Sequence, residues 1–146
     1  MSTNTPTGAD RPVVPAWELV ARRVNAAMVA FDVCLGAGAL LAPTLTLRAL
    51  GHAHPSPDAK VLFRRCAPIW LTFAAAHTVA TVRGEPRDWW ALSWLRGTEI
   101  ATDALWATSP AFTTRRARTL LLGAGAANLA MSTAFAAVSR RPPAST

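Results

Sequence analysis

The sequence predicts an all-α fold: a four-helix transmembrane bundle with antiparallel up-down neighbours and both termini on the same side. Three observations predict it. Hydrophobic residues make up 51% of the 146-residue chain and charged residues only 16%, against about 25% charged in a soluble domain. Four apolar runs, each close to bilayer length, are separated by short stretches rich in Arg, Gly and Pro. The third run, Trp89 to Trp106, carries Arg96, Glu99 and Asp103. At about 100° per residue these three share an arc of roughly 60°. Ala91, Trp94, Thr98, Ala101 and Leu105 occupy the opposite face, which lipid would accept. A charged stripe in an apolar span is costly and marks a functional site by default.

The net charge of +7 would suit nucleic acid on a soluble protein. Here the basic residues sit in the breaks between apolar runs, as loop arginines flanking membrane spans do. Lipid headgroups are therefore the expected partner, and nucleic acid is not. The only cysteines, Cys34 and Cys66, form no C-x-x-C pair, so thioredoxin-like or zinc chemistry has no support. They should differ in depth by on the order of 10 Å, too far for a disulfide, and are expected to be two buried, inert thiols.

Taken in order, residues 1–16 read as a disordered tail, rich in Ser, Thr, Pro and Gly. The Arg22–Arg23 pair fits a twin-arginine signal poorly, and Asp32 would interrupt the apolar core of a cleaved signal. Residues 17–141 form the membrane domain, and residues 142–146 a short tail. Trp17 to Arg23 starts a helix at headgroup level. The first span, 24–47, holds one charge, Asp32, and a small-residue face at Gly36 and Ala39 for close packing. Pro43 ends or kinks it.

Residues 48–65 are the longest connection. His52, His54 and Asp58 lie close together there, but no further His or Cys completes a metal site, so the stretch reads as a solvated loop. The second span, 66–82, is short for a crossing, and Arg64 and Arg65 can snorkel to extend it. Cys66, Trp70, Phe73 and His77 follow heptad spacing along it. The stretch Arg83 to Asp88 is a tight turn that makes spans two and three antiparallel neighbours. The third span, 89–108, has Trp89 and Trp90 at one end and Trp106 at the other, roughly 25 Å apart, as interface anchors. After the basic turn Phe112 to Arg118, the fourth span, 119–139, is crowded with Gly and Ala, with Asn128 its main polar group. Lys and Arg number seven on each side, with Arg96 left over, so the charge rule gives no orientation.

Each span has its main polar group near its centre: Asp32, His77, the pair Arg96 and Glu99, and Asn128. Three carboxyls, Asp32, Glu99 and Asp103, face one arginine, so at least one should keep its proton. A neutral carboxyl beside an ionised one makes a general acid. Glu99, the most central, takes that role, with Asp103 or Asp32 stabilising a developing cation. Arg96 pairs with Asp103 or with Asp32 across the bundle. His77 and Asn128 orient a substrate or relay a proton, and Trp70 and Trp89 face inward and can line a cavity. The competing reading makes these residues ion pairs and interhelical glue of on the order of 1 kcal/mol each.

With its Ala- and Arg-rich composition and the stretch R-G-T-E-I-A-T-D at Arg96 to Asp103, the chain resembles small four-helix integral membrane proteins of actinobacteria over residues 17–141. That resemblance implies a multi-pass cell-membrane protein and points to no particular activity. In chemistry, the site is analogous to those of membrane-embedded isoprenoid cyclases and sterol isomerases, which use intramembrane carboxyls to protonate an epoxide or alkene. The sequence-based expectation is an enzyme doing acid-base chemistry on a lipophilic small molecule, with no metal and no cofactor. A proton-coupled carrier or channel subunit, a membrane scaffold and a homo-oligomer stay open.

Overall fold

A computed structural model describes residues 15–141. The expected tails, apart from Pro15 and Ala16, lie outside the described residues. Those residues form five α-helices and no strand: α1 (Ala16–Leu41), α2 (Pro43–Ala49), α3 (Pro57–Arg83), α4 (Pro86–Ala107) and α5 (Arg115–Ser139).

The first apolar run is not one helix. Ala42 leaves the helical region at φ −136° and ψ 53°, and Pro43 opens α2 as its first residue. Proline lacks the N–H and crowds the residue before it, which forces the break. Helix α1 starts at Ala16, one residue before the helix start expected at Trp17. The expected long connection shrinks to residues 50–56, because Arg48 belongs to α2 and Pro57 already opens α3. Ser56 caps that helix, its Oγ accepting from the Ala59 N–H at 3.1 Å, with Asp58 in the first turn. This is a Ser-Pro-acid start signal. Likewise Thr114 caps α5, its Oγ1 accepting from the Ala117 N–H at 3.1 Å.

The α3–α4 turn is closed by Gly84 at φ +67° and Pro86. Glu85 bridges Arg83 at 3.0 Å and Arg87 at 2.7 Å. The hydrogen bond from Arg83 holds the Glu85 carboxyl below the ordinary glutamate range, and the same bond holds Arg83 up.

Helix α1 packs along α3, and α4 along α5. Close approach in the first pair is set by Gly36, where a Cβ would meet Leu71 Cγ at 2.9 Å and the Ala67 carbonyl at 3.2 Å. Near the termini the two pairs share a core of Ala21, Ala80, Trp89, Leu92, Phe135 and Val138. At the other end a second cluster, Ala39, Leu47, Phe63 and Ala67, involves only α1, α2 and α3.

Beside its apolar core the bundle buries polar groups and exposes large apolar ones. Glu18, Asn25, Asp32, His77, Ser93, Arg96, Asp103 and Asn128 are buried, while Leu41 is 80% exposed, Val82 78%, and Leu45 and Leu105 70% each. Two helices, α1 and α5, are long and apolar enough to cross a membrane, and only 22% of the apolar window of each is buried. The core helix of a soluble protein would hide its apolar side. Helices α3 and α4 are less apolar. Within α3 the charge-free stretch 66–82 is diluted by Pro68, Thr72, His77, Thr78 and Thr81, and α4 carries Arg96, Glu99 and Asp103 in its middle and second half.

Two expectations need correction. Cys34 is exposed and Cys66 partly so, rather than both being buried. Cys34 sits about 200° round the helix from the inward-facing Asp32. Trp89 does not anchor at an interface: it is 1% exposed and packs on Phe135, with ring centroids 5.5 Å apart. Trp90 and Trp106 are each 47% exposed.

Candidate functional site

Buried residues recur at a seven-residue spacing, and on α1 they are polar. On α1 they are Glu18, Asn25 and Asp32, and Ala39 continues the series. On α4, Trp89, Arg96 and Asp103 repeat in the same way, and on α5 Asn128 and Phe135 do. Seven residues are close to two helical turns, so each series stays on the bundle face.

Arg96 joins the two helix pairs. Its Nη2 donates to Asp32 Oδ2 on α1 in a close buried ion pair, and its Nε donates to His77 Nε2 on α3 at 3.0 Å. The guanidinium carbon lies 5.4 Å from the centroid of the Phe73 ring, within cation–π range. A ring nitrogen that accepts from a guanidinium carries no proton, so the imidazole hydrogen sits on Nδ1. That nitrogen meets Asn25 Oδ1 at 2.5 Å. The orientation of Asn25 is set in turn by its amide nitrogen, which donates to the His77 carbonyl at 2.9 Å and to Thr81 Oγ1 at 2.6 Å. The result is a chain, Thr81–Asn25–His77–Arg96–Asp32, running through the bundle. Asp32 Oδ1 is buried with no hydrogen-bond partner among the described residues.

The other expected groups are placed differently. Asp103 accepts from Asn128 Nδ2 at 2.9 Å, within the α4–α5 pair. Of the two partners expected for Arg96, the structure gives it Asp32. Glu99 is half-buried and makes no hydrogen bond among the described residues. It sits within electrostatic reach of Asp103, Arg96 and Asp32. Trp70 lies in the α1–α2–α3 cluster against Phe63, with centroids 5.1 Å apart. His52 packs edge-on against Phe112 at 5.3 Å, and His54 is exposed. The structure thus brings Asp32, His77 and Arg96 together, joins Asp103 to Asn128, and leaves Glu99 within electrostatic reach of both groups. Trp70 packs on Phe63 and Trp89 on Phe135, with the Arg22 guanidinium 5.3 Å from the Trp89 centroid, and neither lines either of the two main surface grooves.

Sequence reasoning missed Asn25, Glu18 and the Ser93–Ser132 pair. In that pair each hydroxyl bonds the other residue's carbonyl at 2.8 Å. Glu18 is 5% exposed and is bound by Arg22 at 2.9 Å and Arg141 at 2.5 Å. Counting back from Asp32 in sevens would have found both Asn25 and Glu18.

Two surface grooves stand out, of about 540 Å³ beside the α1–α2 break and about 320 Å³ at Trp90, Trp94 and Gly97. Neither is lined by Asp32, Glu99 or Asp103. Chemically, Asp32 is committed to a guanidinium and Asp103 to an amide. Glu99 is the carboxyl of this layer with neither oxygen hydrogen-bonded among the described residues.

Comparison of the chain with protein-family models, with curated proteins and with solved structures finds no match.

Proposed function

We propose that the chain is a small multi-pass membrane protein in which α1, α3, α4 and α5 all cross the bilayer. At 1.5 Å per residue even the shortest of them, the 22-residue α4, reaches about 33 Å, enough for a hydrocarbon core of about 30 Å. The charges that lower the apolar score of α4 are Arg96 and Asp103 on its buried face and Glu99 on its half-buried flank, so lipid meets Ala91, Trp94, Ala101 and Leu105 instead. On α3 the basic residues cluster at the two ends, where snorkelling arginines belong.

Within that bundle Glu99 is the intramembrane acid. It protonates a lipophilic small molecule in an isomerisation or cyclisation, and Arg96 with its Asp32 and His77 partners holds a fixed electrostatic wall beside it. The observation that carries this reading is the contrast between Glu99 and its neighbours: Asp32 holds Arg96 through one oxygen and Asp103 accepts from Asn128, whereas neither oxygen of the half-buried Glu99 has a partner among the described residues. The substrate reaches Glu99 from the lipid phase, between the α1–α3 and α4–α5 pairs.

A hydrophobic carbodiimide tests the acid directly, because it adds a protonated carboxyl in an apolar medium and leaves a mass tag. In native membranes the tag should appear on Glu99, disappear in Glu99→Gln, and persist in Asp103→Asn. Labelling of Asp32 and Asp103 as strongly as Glu99 would sink the assignment. Lipid extracts of membranes carrying the wild type or Glu99→Gln then test the reaction. An isomerase produces a species of unchanged mass and altered retention that the variant lacks. Proton flux in proteoliposomes that depends on Glu99, with no such species, would place the carboxyl in a carrier instead.

A further inference from the structure

The larger groove lies where α1 breaks, α2 turns away and α3 begins. Its lining includes Leu41, Leu45, Val61, Lys60 and Arg64, and its volume is about 540 Å³. Lys60 and Arg64 are one turn apart on α3 and hence neighbours on one face. Neither forms an ion pair among the described residues. The nearest acid in sequence, Asp58, points roughly 140° away from that face. Opposite them stand the apolar side chains at the break, Leu41 at 80% and Leu45 at 70% exposure, and beside them Val61 at 56%.

Depth places this groove at a membrane surface, an argument that rests on the membrane reading above. If hydrocarbon begins near Cys66, Arg64 stands about 3 Å and Lys60 about 9 Å above it along α3. The headgroup layer is about 5–8 Å thick on each side. The two cations therefore flank the depth of lipid phosphates, and the exposed Leu41 and Leu45 supply apolar surface in the same groove. An apolar wall and two uncompensated cations in one groove make a surface for one amphiphile with a negative head.

We propose that this groove binds an anionic phospholipid, its phosphate between Lys60 and Arg64 and an acyl chain along Leu41, Leu45 and Val61. A zwitterionic lipid fits less well, because its ammonium group meets no carboxylate there. Free phosphate lacks the apolar half of the contact.

The test uses the purified full-length chain in neutral detergent, titrated with phosphatidylglycerol, with phosphatidylcholine and with inorganic phosphate, and read by native mass spectrometry. Phosphatidylglycerol should be retained in preference to phosphatidylcholine, and millimolar phosphate should not displace it. The double variant Lys60→Gln with Arg64→Gln should weaken the binding at least about tenfold, with helix content unchanged. Arg115→Gln with Arg116→Gln, in the other basic turn, should leave it intact. Equal retention of both lipids, unchanged binding in the first double variant, or displacement by phosphate would overturn the site. Carbonate washing of membranes separates the two levels of inference. Release of the chain overturns the membrane reading and the site with it, and retention without lipid preference overturns the site alone.

Discussion

Removing Asp32 strands a guanidinium inside the bundle. The Asp32 and Arg96 side chains are 1% and 4% exposed, so solvent screens the pair little. In soluble proteins, breaking a buried pair from one side costs about 3–5 kcal/mol, because the surviving charge stays buried. In a membrane the unfolded state also finds partners, which roughly halves polar contributions between helices. Asp32→Leu and Arg96→Leu should each cost about 2 kcal/mol. The double variant leaves no stranded charge. What it loses is the donor to His77 Nε2, a single hydrogen bond of about 1 kcal/mol. The double variant should therefore be more stable than either single one, with a coupling of about 3 kcal/mol. The assay is reversible unfolding in mixed micelles by added dodecyl sulfate, followed by the fluorescence of tryptophans, among them the buried Trp89. Costs that add within about 0.5 kcal/mol would refute the argument, since they would mean that the two groups do not act as a pair.

Three further outcomes follow from particular contacts. Gly36→Val places its Cβ against Leu71 Cγ at 2.9 Å and the Ala67 carbonyl at 3.2 Å; the leucine can turn but the backbone cannot. It should cost about 1–3 kcal/mol in the same unfolding assay, whereas Gly123→Ala, with nothing within 4 Å, should be neutral. Because the folded Glu85 carboxyl titrates below its ordinary value, through its bond to Arg83, the bridge helps folding above the ordinary glutamate range and that help fades as pH falls through the folded value. The protection factors of the Gly84 and Asp88 amides, corrected for the base-catalysed intrinsic exchange rate, should fall on acidification, and Glu85→Gln should flatten that dependence. Cys34 faces outward from α1, so in a Cys66→Ser background a membrane-impermeant maleimide should fail to label it in intact membranes and label it fully after detergent unfolding. Rapid labelling in membranes would place that face in water.

Helix content was legible in the sequence because apolar periodicity and the Ser56–Pro57–Asp58 start signal are local properties of the chain. The inward stripe of α4 was legible too, since Arg96 and Asp103 repeat at a spacing close to two turns. The break at Ala42–Pro43 was half legible. Proline announces the end of one helix, but not that Pro43–Ala49 forms another at an angle to it. Helix limits failed where charged residues continue a helix past its apolar part, as Pro57–Arg65 does, because hydropathy stops there and backbone hydrogen bonding does not.

By itself the sequence determined that the chain folds into helices with an apolar exterior and a polar seam, since composition and seven-residue spacing set which face each residue takes. Only the tertiary structure decided the partners. Arg96 had two acids within plausible reach, and the choice of Asp32 follows from α1 and α3 packing as one pair that faces α4. The same packing recruited Asn25 to hold the His77 tautomer, buried Trp89 under Phe135, and left Glu99 as the carboxyl without a hydrogen-bond partner. Such choices depend on distances between helices far apart in the chain, and no local pattern of residues encodes them.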